Sequence, residues 1–332
     1  FNNPPAKAQV IISAGDVPLG TQGNLFGITG GEGTGKSNYV AAIVAGCICP
    51  AGAEVDTLGI QITANGRHKA VLLYDTEQSE VQLFKNVSNL LARAKQPDKP
   101  DELKAFCLTG MSRKERLNAI VQSMDKFYYQ YGGIQLVVID GIADLVKSAN
   151  DEAESVAVID ELYRLAGIYN TCILCVLHFV PNGLKLRGHL GSELQRKAAT
   201  ILSIEKDEEP TQSVVKALKV RDGSPLDVPL MLFAWDKEAG MHVYKGEKPR
   251  EEKEKRKERE LVNVAHDIFG RQTRITYIDL CEQLQQVLDI KERTAKSYIR
   301  FMRERDIITK DTANQSCFVI GSYHLQRNAS CP

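Results

Sequence analysis

The chain has 332 residues and a formal net charge of zero at pH 7, which is enough for about two domains, one of them large. Its apolar and charged fractions are those of an ordinary soluble globular protein, so any basic surface for a nucleic acid must be local. No apolar run approaches the ~20 residues of a membrane span and no signal peptide is visible, which excludes a membrane-spanning helix and predicts a cytoplasmic protein.

The N-terminal part of the chain leads into a glycine-rich segment. The sequence starts at Phe1 without an initiator methionine, from which we expect that residues upstream of it are absent. Residues 10–19 predict a strand and a turn, and the apolar run 25–29 predicts a short buried strand. Residues 38–49 are rich in alanine and β-branched side chains and predict a helix, so the glycines join a strand to a helix.

Residues 30–37 match the phosphate-binding pattern G-x-x-x-x-G-K-[ST] in this strand–loop–helix context. Glycines let backbone N–H groups turn inward around phosphate oxygens, and the helix N-terminus adds partial positive charge. We expect Lys36 to reach the β- and γ-phosphates and the Ser37 hydroxyl to ligate Mg²⁺. The predicted nucleotide contacts are Gly31, Glu32, Gly33, Thr34, Gly35, Lys36, Ser37 and Asn38. The alternative is a glycine-rich turn that binds nothing.

A β-hairpin is predicted next, with strands at 59–64 and 68–75 joined by a tight Asn-Gly turn. Glu77 follows the second strand, where a carboxylate can face the γ-phosphate and polarise the attacking water. Three more elements are then predicted, namely a helix over 79–95, a strand over 103–108 and a helix over 114–129.

The apolar run 134–140 ends in Asp140 and is the second signal of a nucleotide site. In such a site a buried strand directs its C-terminal acid at Mg²⁺ or at the water around it. Many parallel strands end in aspartate, but the pattern is specific downstream of a phosphate loop. We therefore expect Asp140 to hold the metal together with Ser37, and Asp75 is a further candidate for the metal shell.

The segment after Asp140 continues the alternation of strands and helices. The predicted elements are a polar loop over 143–153, a helix over 155–169 and strands over 171–178, 199–205, 213–220, 230–235 and 242–244. This alternation of near-continuous apolar strands with helices predicts an α/β fold with a mostly parallel sheet and helices on both faces. Ligands of such sheets bind at the carboxyl ends of the strands.

Cys172 and Cys175 form a C-x-x-C pattern inside one of these predicted strands. Strand geometry directs two such side chains to opposite faces, which suits neither a disulfide nor a shared metal. Cys47 and Cys49 lie on a predicted helix, and no second pair at zinc spacing accompanies them, so we predict buried free thiols in a reducing compartment.

The composition changes at residues 246–260, where acidic and basic residues nearly balance and predict a solvated linker or the exposed start of a helix. The large domain accordingly spans 1–245 and a small domain spans 261–325. The small domain is predicted to contain helices at 261–269, 276–287 and 291–305 and short strands at 307–310 and 317–320.

Three helices followed by a hairpin resemble a winged helix-turn-helix domain. Its third helix would be the recognition helix, and it carries Arg293, Lys296, Arg300 and Arg303 at helical spacing. These cations predict DNA contact, while a protein–protein module remains the alternative.

Further polar residues follow the later strands of the large domain. They are His178 at the end of the predicted strand 171–178, Lys185 and Arg187 in the loop 181–191, and Lys219 and Arg221 in a K-x-R pattern. Together with the phosphate loop, Glu77 and Asp140, these residues make the chain over residues 10–245 resemble the RecA-like ATPases. The specific resemblance is to hexameric helicases of the DnaB type and the plasmid RepA type.

The resemblance implies a RecA-like core that binds ATP with Mg²⁺, with Glu77 as the catalytic glutamate and His178 as a γ-phosphate sensor. It also implies that Lys219 and Arg221 reach the ATP of a neighbouring subunit in a homo-oligomeric, hexameric ring. Lys185 and Arg187 would lie in the pore and contact single-stranded DNA. Replication or mobilisation of a plasmid or mobile element, with other proteins of that process, is the implied role. The alternatives are a RecA-like ATPase that assembles on DNA without unwinding it and a nucleotide-switched, DNA-binding regulator.

Overall fold

The computed structural model describes residues 7–178, 188–270, 272–312 and 314–321. The chain divides into two compact units, Phe1–Lys248 and Pro249–Pro332. Within the described ranges, no helix combines the length and the apolar character that crossing a membrane requires.

The first unit is built from short strands that alternate with helices. Its strands are β1 (Val10–Ala14), β2 (Val17–Thr21), β3 (Leu25–Gly30), β4 (Gln61–Ile62), β5 (Ala70–Asp75), β6 (Leu103–Cys107), β7 (Ile134–Asp140), β8 (Cys172–His178), β9 (Thr200–Lys206), β10 (Gln212–Val220), β11 (Leu230–Asp236) and β12 (Met241–Lys248). Its helices are α1 (Lys36–Ile48), α2 (Glu80–Arg93), α3 (Arg113–Tyr131), α4 (Glu152–Ile168) and α5 (Gly188–Lys197), with a 3-10 turn at Ile142–Leu145.

Nine of these strands form one central sheet in the order β12-β11-β10-β9-β3-β8-β7-β5-β6. The six strands from β9 to β6 are parallel, and β10, β11 and β12 add an antiparallel extension. One face packs its apolar side chains against α1 and α2, and the other packs against α3, α4 and α5. The predicted α/β fold, with a mostly parallel sheet between two layers of helices, is confirmed.

The strand β8 lies in the middle of the parallel part and separates its two cysteines. Cys172 belongs to the apolar cluster on one face and Cys175 to the cluster on the other. Both thiols are fully buried and free. Burial raises the pKa of Cys175 to about 12, so this thiol stays protonated and unreactive at neutral pH.

The predicted hairpin over residues 59–75 is wrong. β4 pairs antiparallel with β1, with Ile62 opposite Ile12, in a separate three-stranded sheet. β5 instead lies in the central sheet between β7 and β6, and all six of its residues are buried. The Asn-Gly turn is a local signal, and it does not determine which strands become neighbours.

Two predicted loops also differ from the structure. The polar loop expected over 143–153 begins inside the 3-10 turn, whose Ile142 and Leu145 are buried against the sheet. Residues 188–191 of the loop expected over 181–191 belong to α5, which begins at Gly188, and the earlier part lies outside the described residues. In both places a few apolar side chains pack onto the core, which outweighs the polar composition of the segment.

The second unit contains α6 (Arg250–Phe269), β13 (Ile275–Thr276), α7 (Tyr277–Leu288), α8 (Glu292–Glu304), β14 (Ile308–Lys310) and β15 (Cys317–Ile320). Residues 246–260 therefore form the end of β12 and the start of a helix, which agrees with the predicted helix start and not with the alternative of a linker. Its strands form a small antiparallel sheet in the order β13-β15-β14. The side chain of Thr276 caps α7 by accepting the backbone N–H of Asp279 at 3.3 Å. The three helices and the sheet enclose one apolar cluster.

Candidate active site

The carboxyl ends of four adjacent parallel strands meet at one edge of the central sheet. In the register of the sheet, Gly30 of β3 lies opposite His178 of β8, and Asp75 of β5 lies opposite Asp140 of β7. The phosphate-binding loop starts at Gly30, so the loop, two acids and a histidine are brought to the same edge. This is where ligands of parallel α/β sheets bind.

The loop between β3 and α1 requires glycine at two positions. A Cβ atom on Gly30 would lie 2.3 Å from the carbonyl oxygen of Ile204, and one on Gly35 would lie 2.8 Å from Cε2 of Phe233. Gly35 also has a φ of 93°, in the left-handed region that favours glycine. The backbone is thereby bent tightly at the N-terminus of α1, where N–H groups are available to an anion.

Lys36 is held within this loop. Its Nζ donates hydrogen bonds to the carbonyl oxygens of Gly30 at 3.0 Å and Gly31 at 2.6 Å. Burial lowers the pKa of Lys36, while the negative charges of Asp140 and Glu77 oppose that shift. The loop thus surrounds a cation that can exchange backbone carbonyls for phosphate oxygens.

Asp140 is the most perturbed acid at this edge. Burial raises its pKa to about 7, and the negative charges of Asp75 and Glu77 add to the shift. Lys36 and His178 act in the opposite direction. An acid that is costly to ionise in the absence of a cation is suited to a place where a cation binds.

Asp75 organises the turn after β5. Its Oδ1 accepts the backbone N–H groups of Glu77 at 3.0 Å and Gln78 at 2.8 Å. Burial raises the pKa of Asp75, and these two hydrogen bonds counteract the shift. Asp75 therefore positions Glu77, and it does not line the cleft described below.

Glu77 and His178 lie within reach of each other. Glu77 Oε2 is 3.3 Å from Nε2 of His178, and both side chains are about one-third exposed. A Cβ atom on Gly141 would lie 2.6 Å from Cγ of Glu77, so the residue after Asp140 must be small for Glu77 to stand there. The hydroxyl of Thr76 donates to the carbonyl oxygen of Gly141 at 2.8 Å and ties the two strand ends together.

These groups surround one cleft of about 320 Å³. Its lining residues are Glu32, Gly33, Gly35, Lys36, Ser37, Asn38, Glu77, Gln78, Asp140, His178 and His242. Most of the predicted catalytic, nucleotide and metal residues therefore share one space, while Gly31 and Thr34 lie in the loop behind it. His242 was not predicted, because no local pattern marks it; the pairing of β12 with β11 brings it to the cleft.

The residues of the cleft fit a nucleoside triphosphate with Mg²⁺. The bent loop at the start of α1 offers backbone N–H groups and the lysine to phosphate oxygens. Mg²⁺ takes one or two protein oxygens together with phosphate oxygens and water, and Ser37 and Asp140 carry oxygens of that kind on the cleft wall.

Lys219 and Arg221 lie at the opposite edge of the sheet. Lys219 is the register partner of Ile201 near the start of β9, whereas the phosphate loop begins opposite Ile204. Lys219 Nζ donates to the carbonyl oxygen of Gln195 at 2.7 Å, and Arg221 Nη2 donates to that of Lys197 at 2.8 Å. The pair therefore covers the C-terminal end of α5 and does not line the cleft of its own chain.

The predicted DNA-binding residues belong to two segments of the chain. Lys185 and Arg187 lie outside the described residues. Arg293, Lys296 and Arg300 are exposed on α8 of the second unit, on the face opposite its buried side chains. Lys296 pairs with Glu292 at 2.7 Å and Arg300 pairs with Glu304 at 2.8 Å, so acidic side chains on the same helix compete with any phosphate partner.

Replacing Asp140 with Asn should stabilise the protein by about 2–4 kcal/mol at pH 8, without nucleotide or Mg²⁺. The pKa of Asp140 rises from its ordinary value of 3.8 to about 7 on folding, so ionisation of this acid opposes folding. Below about pH 4 the acid is protonated in both folded and unfolded chains, so ionisation of Asp140 no longer destabilises the fold. This destabilisation grows as the pH rises and is complete above about pH 7.

Urea unfolding in EDTA at pH 8 and near pH 4 measures this difference. The variant should gain stability at the higher pH only. Asp144→Asn is the matched control, because this nearby side chain is 41% exposed and its replacement should bring no such gain. Equal stability of wild type and Asp140→Asn at pH 8 would contradict the prediction.

Comparison with known proteins agrees with the geometry of the cleft. A family described as an AAA domain matches residues 1–182, which contain the phosphate loop, Glu77, Asp140 and His178. None of the curated proteins matches the chain significantly. Because the family match covers more than half of the chain, the protein belongs to the AAA-domain family of P-loop ATPases.

Proposed function

We propose that the protein is an ATP-hydrolysing, ring-forming motor that moves along single-stranded DNA. The observation that carries this proposal is the separation of Lys219 and Arg221 from the cleft of their own chain. Among the described residues that line the cleft, Lys36 is the one Lys or Arg side chain. Transfer of a phosphoryl group to water builds up negative charge on the phosphate oxygens, and a second cation stabilises it strongly.

Within one chain, the proposed roles follow from position. Lys36 and the loop amides hold the phosphates, and Ser37 and Asp140 hold Mg²⁺, which neutralises phosphate charge when it is bound. Glu77 accepts a proton from the attacking water, since it is the partly exposed carboxylate that the Asp75 turn directs to the cleft. His178, 3.3 Å from Glu77, is placed to respond to the γ-phosphate and to orient the glutamate.

Between chains, Lys219 and Arg221 act on the nucleotide of the neighbour. In the proposed head-to-tail arrangement of identical subunits, the edge of the sheet that carries this pair faces the neighbour's edge that carries the phosphate loop. Such heterologous contacts close into a ring when the rotation between subunits allows it. Hydrolysis then depends on the geometry of the neighbour, which is how a motor couples its subunits.

Single-stranded DNA is the proposed track. Lys185 and Arg187 follow the strand that ends at His178, so a change at the γ-phosphate can be passed to the segment that carries them. The second unit, with its small sheet and the exposed cations of α8, is proposed as a winged-helix domain that binds DNA or a partner protein. Replication or mobilisation of a plasmid or mobile element is the process that this combination suits.

Single-stranded DNA should stimulate ATP hydrolysis by the full chain at low salt, and the stimulation should weaken as salt rises. The reason is that Lys and Arg contacts to phosphates release counterions, which makes binding salt-dependent. Steady-state ATPase rates with single-stranded and double-stranded oligonucleotides over a salt series measure the effect. Turnover that does not respond to single-stranded DNA at low salt would sink the motor proposal.

Two sets of variants separate the motor from the regulator. The double change Lys185→Ala with Arg187→Ala should remove the stimulation by single-stranded DNA and keep basal turnover. The triple change Arg293→Ala, Lys296→Ala and Arg300→Ala should keep the stimulation. The opposite result would favour a nucleotide-switched regulator, which the exposed cations of α8 also suit. Strand displacement on forked DNA then distinguishes unwinding from assembly on DNA alone.

A further inference from the structure

The strand pair β11–β12 carries an aromatic surface made of Trp235 and His242, with the buried ring of Phe233 beneath it. Trp235 and His242 are cross-strand partners, so their side chains stand on the same face of the pair. Their rings lie 5.5 Å apart, and the rings of Phe233 and His242 lie 5.6 Å apart, both in edge-on arrangements. The three rings therefore form one continuous patch.

This aromatic surface runs outward from the phosphate loop. Phe233 is fully buried beneath Gly35, the N-cap residue of α1. His242 is half-buried and lines the cleft beside the loop. Trp235 is the one tryptophan of the chain and is 53% exposed. An exposed aromatic ring next to a nucleotide cleft offers apolar area that a bound base can cover.

The two ends of the cleft differ in the side chains that they carry. The γ-phosphate end is marked by Asp140, Glu77 and His178, because those groups serve hydrolysis. Those three residues lie at or just after the ends of β7, β5 and β8, on one side of β3 in the sheet, whereas β11 and β12 lie on the other side of β3. His242 therefore lies at the other end of the cleft, where the nucleoside leaves the loop.

The protonation of His242 suits contact with a neutral base. Its Nδ1 is buried and has no hydrogen-bond partner among the residues that the structure describes. Either neutral tautomer leaves Nδ1 unsatisfied, and the tautomer with the hydrogen on Nε2 is the one that can donate to a ligand. The ring is then an uncharged aromatic surface with one donor left for a ring nitrogen or a ribose oxygen of the ligand.

We propose that Trp235 and His242 form the surface on which the base of the bound nucleotide stacks. The proposal rests on the proposed ATP-binding function of the cleft and adds the part of the site that contacts the nucleoside. Aromatic side chains accept any base by its π face, and purines, with the larger ring system, stack over more area. The ligand class is accordingly a purine nucleoside triphosphate.

The single tryptophan provides a direct test on the full-length protein. Addition of ATP should change the emission of Trp235, because a stacked base replaces water on its ring. Inorganic tripolyphosphate, which carries the phosphates without the base, should bind and compete with ATP but leave the emission unchanged. An equal change with tripolyphosphate, or no change while ATP binds, would overturn the assignment of Trp235.

Binding constants of variants complete the test. Trp235→Ala should raise the Kd for ATP about tenfold, within the range found for base stacking on aromatic side chains, and leave the Kd for tripolyphosphate unchanged. Trp235→Phe should retain most of the affinity for ATP. His242→Ala should raise the Kd for ATP and leave the Kd for tripolyphosphate unchanged. Tyr129→Ala is the control, since this side chain is 76% exposed on α3 and away from the cleft.

Calorimetric titrations give these binding constants, and their outcomes separate failure of the stacking surface from failure of the ATPase proposal. If Trp235→Ala raises the Kd for ATP and the Kd for tripolyphosphate equally, or raises neither, the proposed stacking surface is wrong and the ATPase proposal stands. If the wild-type protein binds ATP no more tightly than tripolyphosphate, the base adds no affinity and the proposed stacking surface is again wrong. If ATP does not bind at all, the proposed function fails and this inference fails with it.

Discussion

Glu77→Gln should lower the rate of ATP turnover by about 10²–10⁴-fold and leave ATP binding intact, because it removes the proposed general base without changing its shape. The backbone of Glu77 is held by Asp75, and Gly141 leaves room for its side chain, so the amide should occupy the same place. The glutamine cannot accept a proton from water. Steady-state hydrolysis and calorimetric titration of ATP on the same protein give the two quantities.

Glu80→Gln is the matched control for this prediction. Glu80 is an exposed carboxylate in the first turn of α2, three residues after Glu77 and outside the cleft. This variant should keep nearly normal turnover. Turnover of Glu77→Gln within a few-fold of wild type would show that another group activates the water, and Asp140 would then be the next carboxylate to replace.

Arg221→Ala should lower turnover by about 10³-fold or more, which is the effect of removing a cation that reaches a phosphate across an interface. Binding of ATP to a single chain should be unchanged, because Arg221 lies at the far edge of the sheet from the loop. Lys219→Ala should have a smaller effect of the same kind. Hydrolysis rates and ATP affinity, measured at several protein concentrations, test both statements.

Mixing two inactive variants tests whether Arg221 acts on a neighbouring chain. Glu77→Gln lacks the base but has the arginine, and Arg221→Ala has the opposite defect. In a randomly mixed ring about a quarter of the interfaces combine an intact base with an intact arginine, so that share of activity should return. The two proteins are mixed under conditions that dissociate the oligomer and are then reassembled before the rate is measured.

The control for this mixing is a protein with both changes. Mixed with Glu77→Gln, it supplies no intact base, and the rate should stay at the background of the single variants. Recovery in the first mixture alone would place Arg221 on the neighbour's nucleotide. Without recovery, Arg221 serves its own chain, and the hydrogen bond to Lys197 would then mark a structural role for it.

Local patterns in the sequence were sufficient for much of the core. The run 25–29 and the glycine loop predicted a strand that leads into a nucleotide site, and β3 and α1 have nearly those bounds. The run 134–140 predicted a buried strand with an acid at its end, and β7 matches it residue for residue. Such signals succeed because burial on both faces and close backbone approach leave few residue types that fit.

Partnerships between distant segments were predicted less well. The Asn-Gly turn suggested a hairpin, yet β4 joins β1 and β5 joins β7 and β6. β13 has two residues and carries no periodic signal, so it was not predicted. An apolar strand needs neighbours on both sides, but its own sequence does not specify which strands supply them.

For this protein, the sequence by itself determined that an α/β fold contains a phosphate loop, an acid at the end of a buried strand and a glutamate just after another strand. These are local requirements of backbone shape and burial. Only the tertiary structure decided that Asp75 holds the turn of Glu77, that His242 and Trp235 border the cleft, and that Lys219 and Arg221 lie far from it. Those facts depend on strand order and register. Packing joins segments that are far apart in the chain, and the sequence of neither segment contains a pattern that identifies its neighbour.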